Sequence, residues 1–548
     1  MRSLLPHRLS GLSLAALFAA ASLAHAAPLD LTSATVAEIN AAFKAGTLTS
    51  ETLTQAYLAR VAAYDKQGPT INAVITLNPK AVEQARALDA ERKSGKIRGP
   101  LHGVPVVLKD NIDTVDLPTT GGSQLLEGSL PPDDAFITTK LRNAGAVILA
   151  KVNLSEWAGS GGSVSGAKDP EVLKKGAVPN GFSSAGGQTR NPHDLTRGPA
   201  GSSGGTGAAI AAGFAQLGVG TDTGGSVRGP SAANGIVGLK PTCGLLSRDG
   251  IIPLGLSFDT AGPMGRSVYD IAVMLGAMTG VDTADEATRA SGAHLKSDYT
   301  VFLKTGSLKG ARIGIARDFL GRDAGTDAVI EKAIATLKSL GAVIVDPIKY
   351  PEHLLASRQP IYNQLVSSEF KAQLTQYLKT TRPGYPKSFD EVVARSNDPK
   401  TGYRSPQKAF ALTYTASIAL DLTDPVYLAV KNQALASTKA GIDALFAKHR
   451  LDAIVYPTSP RPAQLITPST PPAGGGDSPT NFANQTGYPD LIVPAGFTPE
   501  GLPVTLSFFG PAWSEPKLLG YGYDFEQATR ARALPKHTPA LVTDRIGN

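Results

Sequence analysis

The sequence of 548 residues contains a single cysteine, Cys243. One cysteine cannot form an intramolecular disulfide, so the stability of the fold must come from a buried core and not from covalent cross-links. Hydrophobic residues make up 42% of the chain, which is long enough to bury such a core. Length alone suggests about three domains.

Several classes of function lack their motifs in this sequence. There is no H-E-x-x-H sequence and no paired Cys/His motif, so metal catalysis has little support, and we expect neither a metal nor another cofactor. The net formal charge of +7 is a mild excess for this length, and no Lys/Arg cluster carries interleaved aromatics. Nucleic-acid binding is therefore a poor hypothesis.

The first 26 residues have the pattern of a secretory signal peptide. Arg2 and Arg8 form a positive n-region, residues 11–23 are apolar, and residues 24–26 read Ala-His-Ala, an A-x-A cleavage site. The apolar run is shorter than the ~20 residues of a spanning helix, and no later stretch approaches that length. We therefore expect a signal peptide over 1–26, a mature chain from Ala27 without a membrane span, and a periplasmic or secreted location. A retained N-terminal anchor is the alternative.

The most informative stretch of the chain covers residues 198–242. It opens with a Gly/Ser turn around Ser202, and an Ala-rich run over 206–214 predicts a buried helix. A short strand over 217–220 then leads into a second Gly-rich loop over 221–226. Glycines beside a serine let successive N–H groups turn toward one point, which is the geometry that an oxyanion needs. Either half alone is also typical of a linker or a turn, but the two together are far more specific.

These motifs resemble the amidase signature family of serine hydrolases. The resemblance rests on GSSGG around Ser202, TDTGGSVR around Ser226, GIVGLKPT after it, and GVPVVLKDN around Lys109. LHGVP, NLSEWA, GQTRNP, DTAGPM and GLPVTLSFFG also fall in the order of the family, and SRDGIIP and AWSEPKL are similar to the peptide amidase branch. The resemblance covers nearly the whole mature chain, which favours one large domain over 27–548.

The resemblance implies a fold and a set of site residues. The family has a central mixed β-sheet covered by helices on both faces, and the alternation of predicted strands and helices agrees with such an α/β fold. Carried over by position, Ser226 matches the nucleophile, Ser202 the bridging serine in a cis peptide, and Lys109 the base. The oxyanion hole would be formed by backbone N–H groups of the nucleophile loop, those of Thr223, Gly224, Gly225 and Ser226.

A serine–lysine mechanism requires a neutral lysine. At pH 7.5 a lysine with the ordinary pKa of ~10.4 is neutral in roughly one molecule in a thousand. We expect burial at the end of an apolar strand over 104–108 to lower the pKa of Lys109 to about 7–8. A histidine-based triad is disfavoured, because no G-x-S-x-G elbow surrounds Ser226 and no histidine lies in such a context.

Three further features bear on the predicted site. Residues 157–188 are Gly/Ser-rich with a charged island, and we interpret them as an inserted surface loop, either a lid or merely mobile. Residues 457–478 are rich in Pro and Gly and are predicted to face the pocket, with a solvent loop as the alternative. Asp222 and Arg228 flank the nucleophile loop and are predicted to pair as a structural brace.

The function that the resemblance implies is amide hydrolysis through an acyl-enzyme. The substrate is expected to be a small-molecule or short-peptide amide, and most specifically a C-terminal peptide amide that releases ammonia. An aryl or alkyl acylamidase is the first alternative. The tRNA-dependent amidotransferase branch and a catalytically silent binding protein are less favoured. The oligomeric state is not predicted by the sequence.

Overall fold

The computed structural model describes residues 29–162, 164, 167, 169–466 and 479–546. The predicted signal peptide and the predicted start at Ala27 lie outside these ranges. In the described ranges no helix is both long and apolar enough to span a membrane.

A mixed β-sheet organises the described chain. The strands, in chain order, are β1 (Leu29–Asp30), β2 (Val74–Leu77), β3 (Pro105–Lys109), β4 (Val147–Val152), β5 (Phe182–Ser183), β6 (Gly187–Gln188), β7 (Leu217–Asp222), β8 (Val237–Lys240), β9 (Thr260–Gly265), β10 (Arg312–Ala316), β11 (Val343–Ile348), β12 (Ala453–Pro457), β13 (Asp490–Phe497), β14 (Pro503–Phe509) and β15 (Arg545–Ile546). Within the described residues, eleven of them form one sheet in the order β11-β10-β12-β14-β13-β8-β9-β7-β3-β4-β2.

The helices fall between these strands along most of the chain. They are α1 (Val36–Ala45), α2 (Ser50–Tyr64), α3 (Ala81–Lys93), α4 (Phe136–Asn143), α5 (Pro170–Lys175), α6 (Gly204–Ala211), α7 (Arg228–Asn234), α8 (Val268–Met278), α9 (Ala324–Ser339), α10 (Glu352–Leu378), α11 (Phe389–Asn397), α12 (Pro406–Ile418), α13 (Pro425–Ala429), α14 (Leu435–His449), α15 (Asn481–Thr486) and α16 (Glu515–Thr529).

Helices cover both faces of the sheet. Ile492 of β13 pairs with Gly238 of β8, so the two residues face the same side of the sheet. A Cβ added at Gly238 would lie 2.2 Å from Ser231 Oγ of α7. Leu491, the neighbour of Ile492 in β13, lies against Gly522 of α16. Because neighbouring residues of a strand face opposite sides of the sheet, α7 and α16 pack on opposite faces. The single large α/β domain with a central mixed sheet is therefore confirmed.

The sheet register brings distant parts of the sequence together. β3 lies parallel to β7, with Leu108 opposite Val219, so the end of β3 lies beside the end of β7. The buried helix α6 packs closely against the end of β4, the strand next to β3. A Cβ added at Gly205 would lie only 2.2 Å from the carbonyl oxygen of Asn153. Glycine is therefore required for this approach.

The prediction of a surface loop over 157–188 is wrong at both ends, because Trp157 and Ala158 are buried at its start and residues 177–188 are partly buried at its end. Helix α5, which carries most of the charged island, has no buried residue, but β5 and β6 form a hairpin in which Ser183 and Ser184 are buried. The buried carboxylate of Glu156 accepts hydrogen bonds from both N and Oγ of Ser184, each at 2.9 Å. These partners compensate for the burial of a Ser-rich segment whose composition indicates exposure.

Candidate active site

The amino group of Lys109 is buried against two hydroxyl groups at the end of β3. Its Nζ lies 2.8 Å from Ser202 Oγ and 2.7 Å from Thr221 Oγ1, and the side chain is fully buried. Lys109 and Ser202 are 93 positions apart in the sequence. The structure therefore brings together the predicted base and the predicted bridging serine.

The environment of Lys109 favours its neutral form. Burial lowers the pKa of Lys109 from 10.5 to about 7, because the ammonium form loses its hydration. Asp222 and Asp259 act in the opposite direction and raise this pKa, but burial outweighs them. At pH 7.5 roughly three quarters of the molecules then carry a neutral Lys109.

The turn that carries Ser202 is fixed by hydrogen bonds to neighbouring strands and loops. The Gly201–Ser202 peptide is cis, as the family resemblance implied. Ser202 O accepts a hydrogen bond from Ser155 N at 2.9 Å. Ser203 Oγ donates to Thr221 O at 3.1 Å and accepts from Thr221 N at 3.2 Å, so this side chain anchors the turn on the end of β7.

Ser226 is half-buried in the loop between β7 and α7. Its carbonyl oxygen accepts a hydrogen bond from Ser203 N at 3.1 Å, which joins the nucleophile loop to the turn of Ser202 through the main chain. The two serine-bearing loops predicted on either side of one helix thus meet above the end of β3.

The four N–H groups predicted to form the oxyanion hole divide into two kinds. Gly225 N donates to Asp222 Oδ1 at 2.9 Å, and the carbonyl of the same peptide unit, on Gly224, accepts from Thr480 Oγ1 at 3.1 Å. The Gly225 amide is therefore engaged in bracing the loop, and the geometry does not support its predicted role. Within the described chain the other three amides have no partner, so the candidate donors are those of Thr223, Gly224 and Ser226.

Asp222 and Arg228 pair beneath the nucleophile loop, as predicted. Arg228 contacts Asp222 and Asp490 at 2.9 Å each, and all three side chains are fully buried. Burial alone raises the pKa of Asp222, but the charge and hydrogen bonds of Arg228 outweigh it and hold this pKa below its ordinary range. Asp222 Oδ2 also accepts from Val227 N at 2.9 Å, so its carboxylate fixes the backbone on both sides of Ser226.

Several functional residues were missed at the sequence level. Thr221 contacts the predicted base, Lys109, and Asp490 completes the buried ion triad although it lies 262 positions from Arg228. Thr221 stands in the TDTGGS motif, which was a sufficient signal for it, whereas Asp490 follows no local pattern that distinguishes it.

A cavity of about 220 Å³ opens beside the two serine-bearing loops. Its lining is mostly small or apolar and includes Gly201, Gly224, Thr480 and Val504. Residues 458–466 form one wall, so the prediction that this loop faces the pocket is confirmed for them, while 467–478 lie outside the described residues. Across the ranges described above, no cluster of three or more His, Cys, Asp or Glu side chains could hold a metal ion.

Comparison with known proteins identifies the family. The model of the Amidase family matches residues 52–519. The chain belongs to the amidase family. It is 34% identical to a probable amidase of Arabidopsis thaliana, over 92% of this chain and 91% of that protein. It is also 34% identical to one of the subunits of glutamyl-tRNA(Gln) amidotransferase from Caldanaerobacter subterraneus, over 93% of this chain and 99% of that one.

Among solved structures, this amidase is similar to native peptide amidase from Stenotrophomonas maltophilia. The two are 42% identical, with a TM-score of 0.83, over 91% of this chain and 98% of that one. The resemblance to the peptide amidase branch is therefore confirmed. With this family and these neighbours, the protein is an amide hydrolase.

The pH dependence of this amidase should report the ionisation of Lys109. Below its pKa of about 7 the amine is protonated and cannot accept a proton, so kcat/KM should rise with pH through about 7 and level off above it. Lys109→Ala should remove this limb and lower kcat/KM by several orders of magnitude. The measurement is a pH–rate profile with a saturable amide substrate.

A matched control for this prediction is Lys408→Met. Lys408 is also buried, with its pKa lowered to about 8, but its Nζ donates to Glu156 O at 2.8 Å, away from the serines. This variant should keep the limb near pH 7. A limb that survives in Lys109→Ala, or that disappears in Lys408→Met, contradicts the assignment.

Proposed function

We propose that this amidase removes ammonia from C-terminal peptide amides through an acyl-enzyme on Ser226. The observation that carries the mechanism is the contact of 2.8 Å between the buried amine of Lys109 and Ser202 Oγ. A lysine held next to a serine in an apolar interior is poised to accept a proton, which an exposed lysine at neutral pH is not.

We propose that a proton relay begins at this contact and extends to Ser226, whose carbonyl oxygen accepts from Ser203 N in the turn of Ser202. Neutral Lys109 takes the proton of Ser202 Oγ as Ser202 takes that of Ser226, and Ser226 Oγ attacks the amide carbon. The amides of Thr223, Gly224 and Ser226 stabilise the oxyanion, each donor contributing on the order of 3–4 kcal/mol. The relay then runs backwards, the proton reaches the leaving nitrogen, and the C–N bond breaks. A water molecule hydrolyses the acyl-enzyme by the same relay.

The shape of the site supports a small leaving group. The cavity of about 220 Å³ lies on one side of the nucleophile loop and offers an apolar surface to the acyl part of the substrate. Gly224, which lines the cavity, also contacts the ring of Tyr362, which does not: a Cβ added at Gly224 would lie 2.7 Å from a ring carbon of Tyr362. Tyr362 stacks in turn on Phe258, with ring centroids 5.7 Å apart. We assign the cavity to the peptide and the closed side to the amide nitrogen.

The similarity to peptide amidase supports peptide amides over other linear amides. The similarity to the amidotransferase protein supports the same bond chemistry without indicating this substrate.

Two substrates distinguish the proposed activity from that of an acylamidase. Purified protein should release ammonia from an amidated dipeptide at a kcat/KM well above that for aniline release from a simple acyl anilide, because the anilide ring exceeds the space for the leaving group. Ser226→Ala provides the blank, and internal peptide bonds should remain intact. Anilide turnover well above peptide-amide turnover would overturn the substrate assignment and leave the triad untouched.

We also propose that the protein is exported and processed after Ala26. The n-region, apolar run and A-x-A site of residues 1–26 support this proposal. N-terminal sequencing of protein recovered from the periplasm or the medium should begin at Ala27. Recovery of a chain that starts at Met1 in the membrane fraction would indicate the retained anchor instead.

A further inference from the structure

A second, much smaller cavity lies behind the base, on the side of Thr221. It is lined by Asn111, Thr221, Thr223, Arg248, Asp259 and Thr260 together with four apolar side chains. It offers about 10 Å³ to the centre of a water molecule, which is the space that one water requires. Cavities with an apolar lining stay empty of water, whereas the polar groups in this lining can bind one.

The hydroxyl of Thr221 has its two lone pairs occupied by protein donors. Thr221 Oγ1 accepts from Lys109 Nζ at 2.7 Å and from Asn111 Nδ2 at 3.1 Å. A threonine hydroxyl has one proton and two acceptor sites, so the proton of Thr221 still needs an acceptor. Among the described residues, these two contacts are the only hydrogen bonds of Thr221 Oγ1.

The amide of Asn111 leaves a complementary atom without a partner. Asn111 is 2% exposed, and its Oδ1 has no hydrogen-bond partner in the described part of the chain. A buried amide oxygen without a donor costs about 1–3 kcal/mol. Turning the amide over would let Oδ1 accept the proton of Thr221 Oγ1, but Nδ2 would then take the unpartnered position and lack an acceptor, so Asn111 has an unsatisfied polar atom in either orientation. Both unsatisfied groups belong to side chains that line the same cavity.

We propose that this cavity binds one water molecule, which accepts the proton of Thr221 Oγ1 and donates to Asn111 Oδ1. Asp259 supplies a further polar group on the cavity wall; its two carboxylate oxygens already accept from Thr223 Oγ1 and from the amides of Leu254 and Gly255. A water with these partners has the two to four polar contacts of a typical buried water.

The water acts on the base through Thr221. A neutral lysine amine has one lone pair, and the proposed relay requires that it face Ser202 Oγ. If the Thr221 hydroxyl turned its proton toward Lys109, it would occupy that lone pair and block the transfer from Ser202. With its proton held by the water, Thr221 is an acceptor toward Lys109, and the lone pair of the amine is left for Ser202. Asn111 and the water are thus positioning groups for the base.

A crystal structure of the full chain, at a resolution that shows ordered waters, tests the site. Electron density for one water should lie about 2.7–3.2 Å from both Thr221 Oγ1 and the side-chain amide of Asn111. An empty cavity, or an Asn111 amide that reaches a protein donor, would overturn the proposal. This experiment needs no turnover, so it is independent of the proposed substrate.

Kinetics test the positioning role, which rests on the proposed triad. Asn111→Leu keeps the approximate volume and removes both polar atoms, so kcat should fall by about tenfold or more with little change in KM. Thr438→Val is the control, because Thr438 is also buried and its Oγ1 donates to Ala434 O at 3.0 Å, in a helix, α14, that lines neither cavity. This control should retain the wild-type kcat.

The outcomes of the two experiments separate the two proposals. Ordered water together with a wild-type kcat in Asn111→Leu would overturn the positioning role. Ordered water in a protein that hydrolyses no peptide amide would overturn the proposed function and leave the water site standing. A melting temperature for Asn111→Leu near that of the wild type shows that the loss of kcat is not a loss of fold.

Discussion

The burial of one lysine is the constraint on which the rest of the structure depends. Lowering the pKa of Lys109 from 10.5 to about 7 reduces the free energy of unfolding by about 5 kcal/mol at pH 7 and below. Between pH 7 and pH 10.5 the folded chain binds fewer protons than the unfolded chain. The loss of stability therefore declines as the pH rises toward 10.5. The extensive core around the eleven-stranded sheet must offset it.

The surroundings of Lys109 hold its partners in place while limiting the negative charge that acts on it. Its closest hydrogen-bond partners are neutral hydroxyls, and the nearby carboxylate of Asp222 is engaged by Arg228 and by backbone amides. The pairing with Arg228 weakens the pull of Asp222 on Lys109, which would otherwise raise the pKa of the base. The same ion pair fixes the loop of Ser226. One buried interaction thus serves both the base and the nucleophile.

Sequence motifs located the predicted catalytic residues, because Lys109, Ser202 and Ser226 each lie in a short segment whose composition and order are specific. Motifs could not show that Gly225 N–H is directed to Asp222, since the orientation of a peptide plane depends on contacts such as that of Thr480. Composition also gave the wrong exposure for residues 177–188, whose buried serines Ser183 and Ser184 donate to Asn153 and Glu156, partners outside the segment. The cavity behind Thr221 depends on how three separate segments meet and has no sequence signal.

The proposed mechanism depends above all on Ser226 as a nucleophile that Lys109 activates. The most direct measurement is mass spectrometry of the protein after reaction with a phosphonofluoridate probe. We expect one adduct, located on Ser226, which is absent in Ser226→Ala and forms far more slowly in Lys109→Ala. An adduct on Ser202, Ser203 or any other serine, or a labelling rate that does not depend on Lys109, would contradict this mechanism.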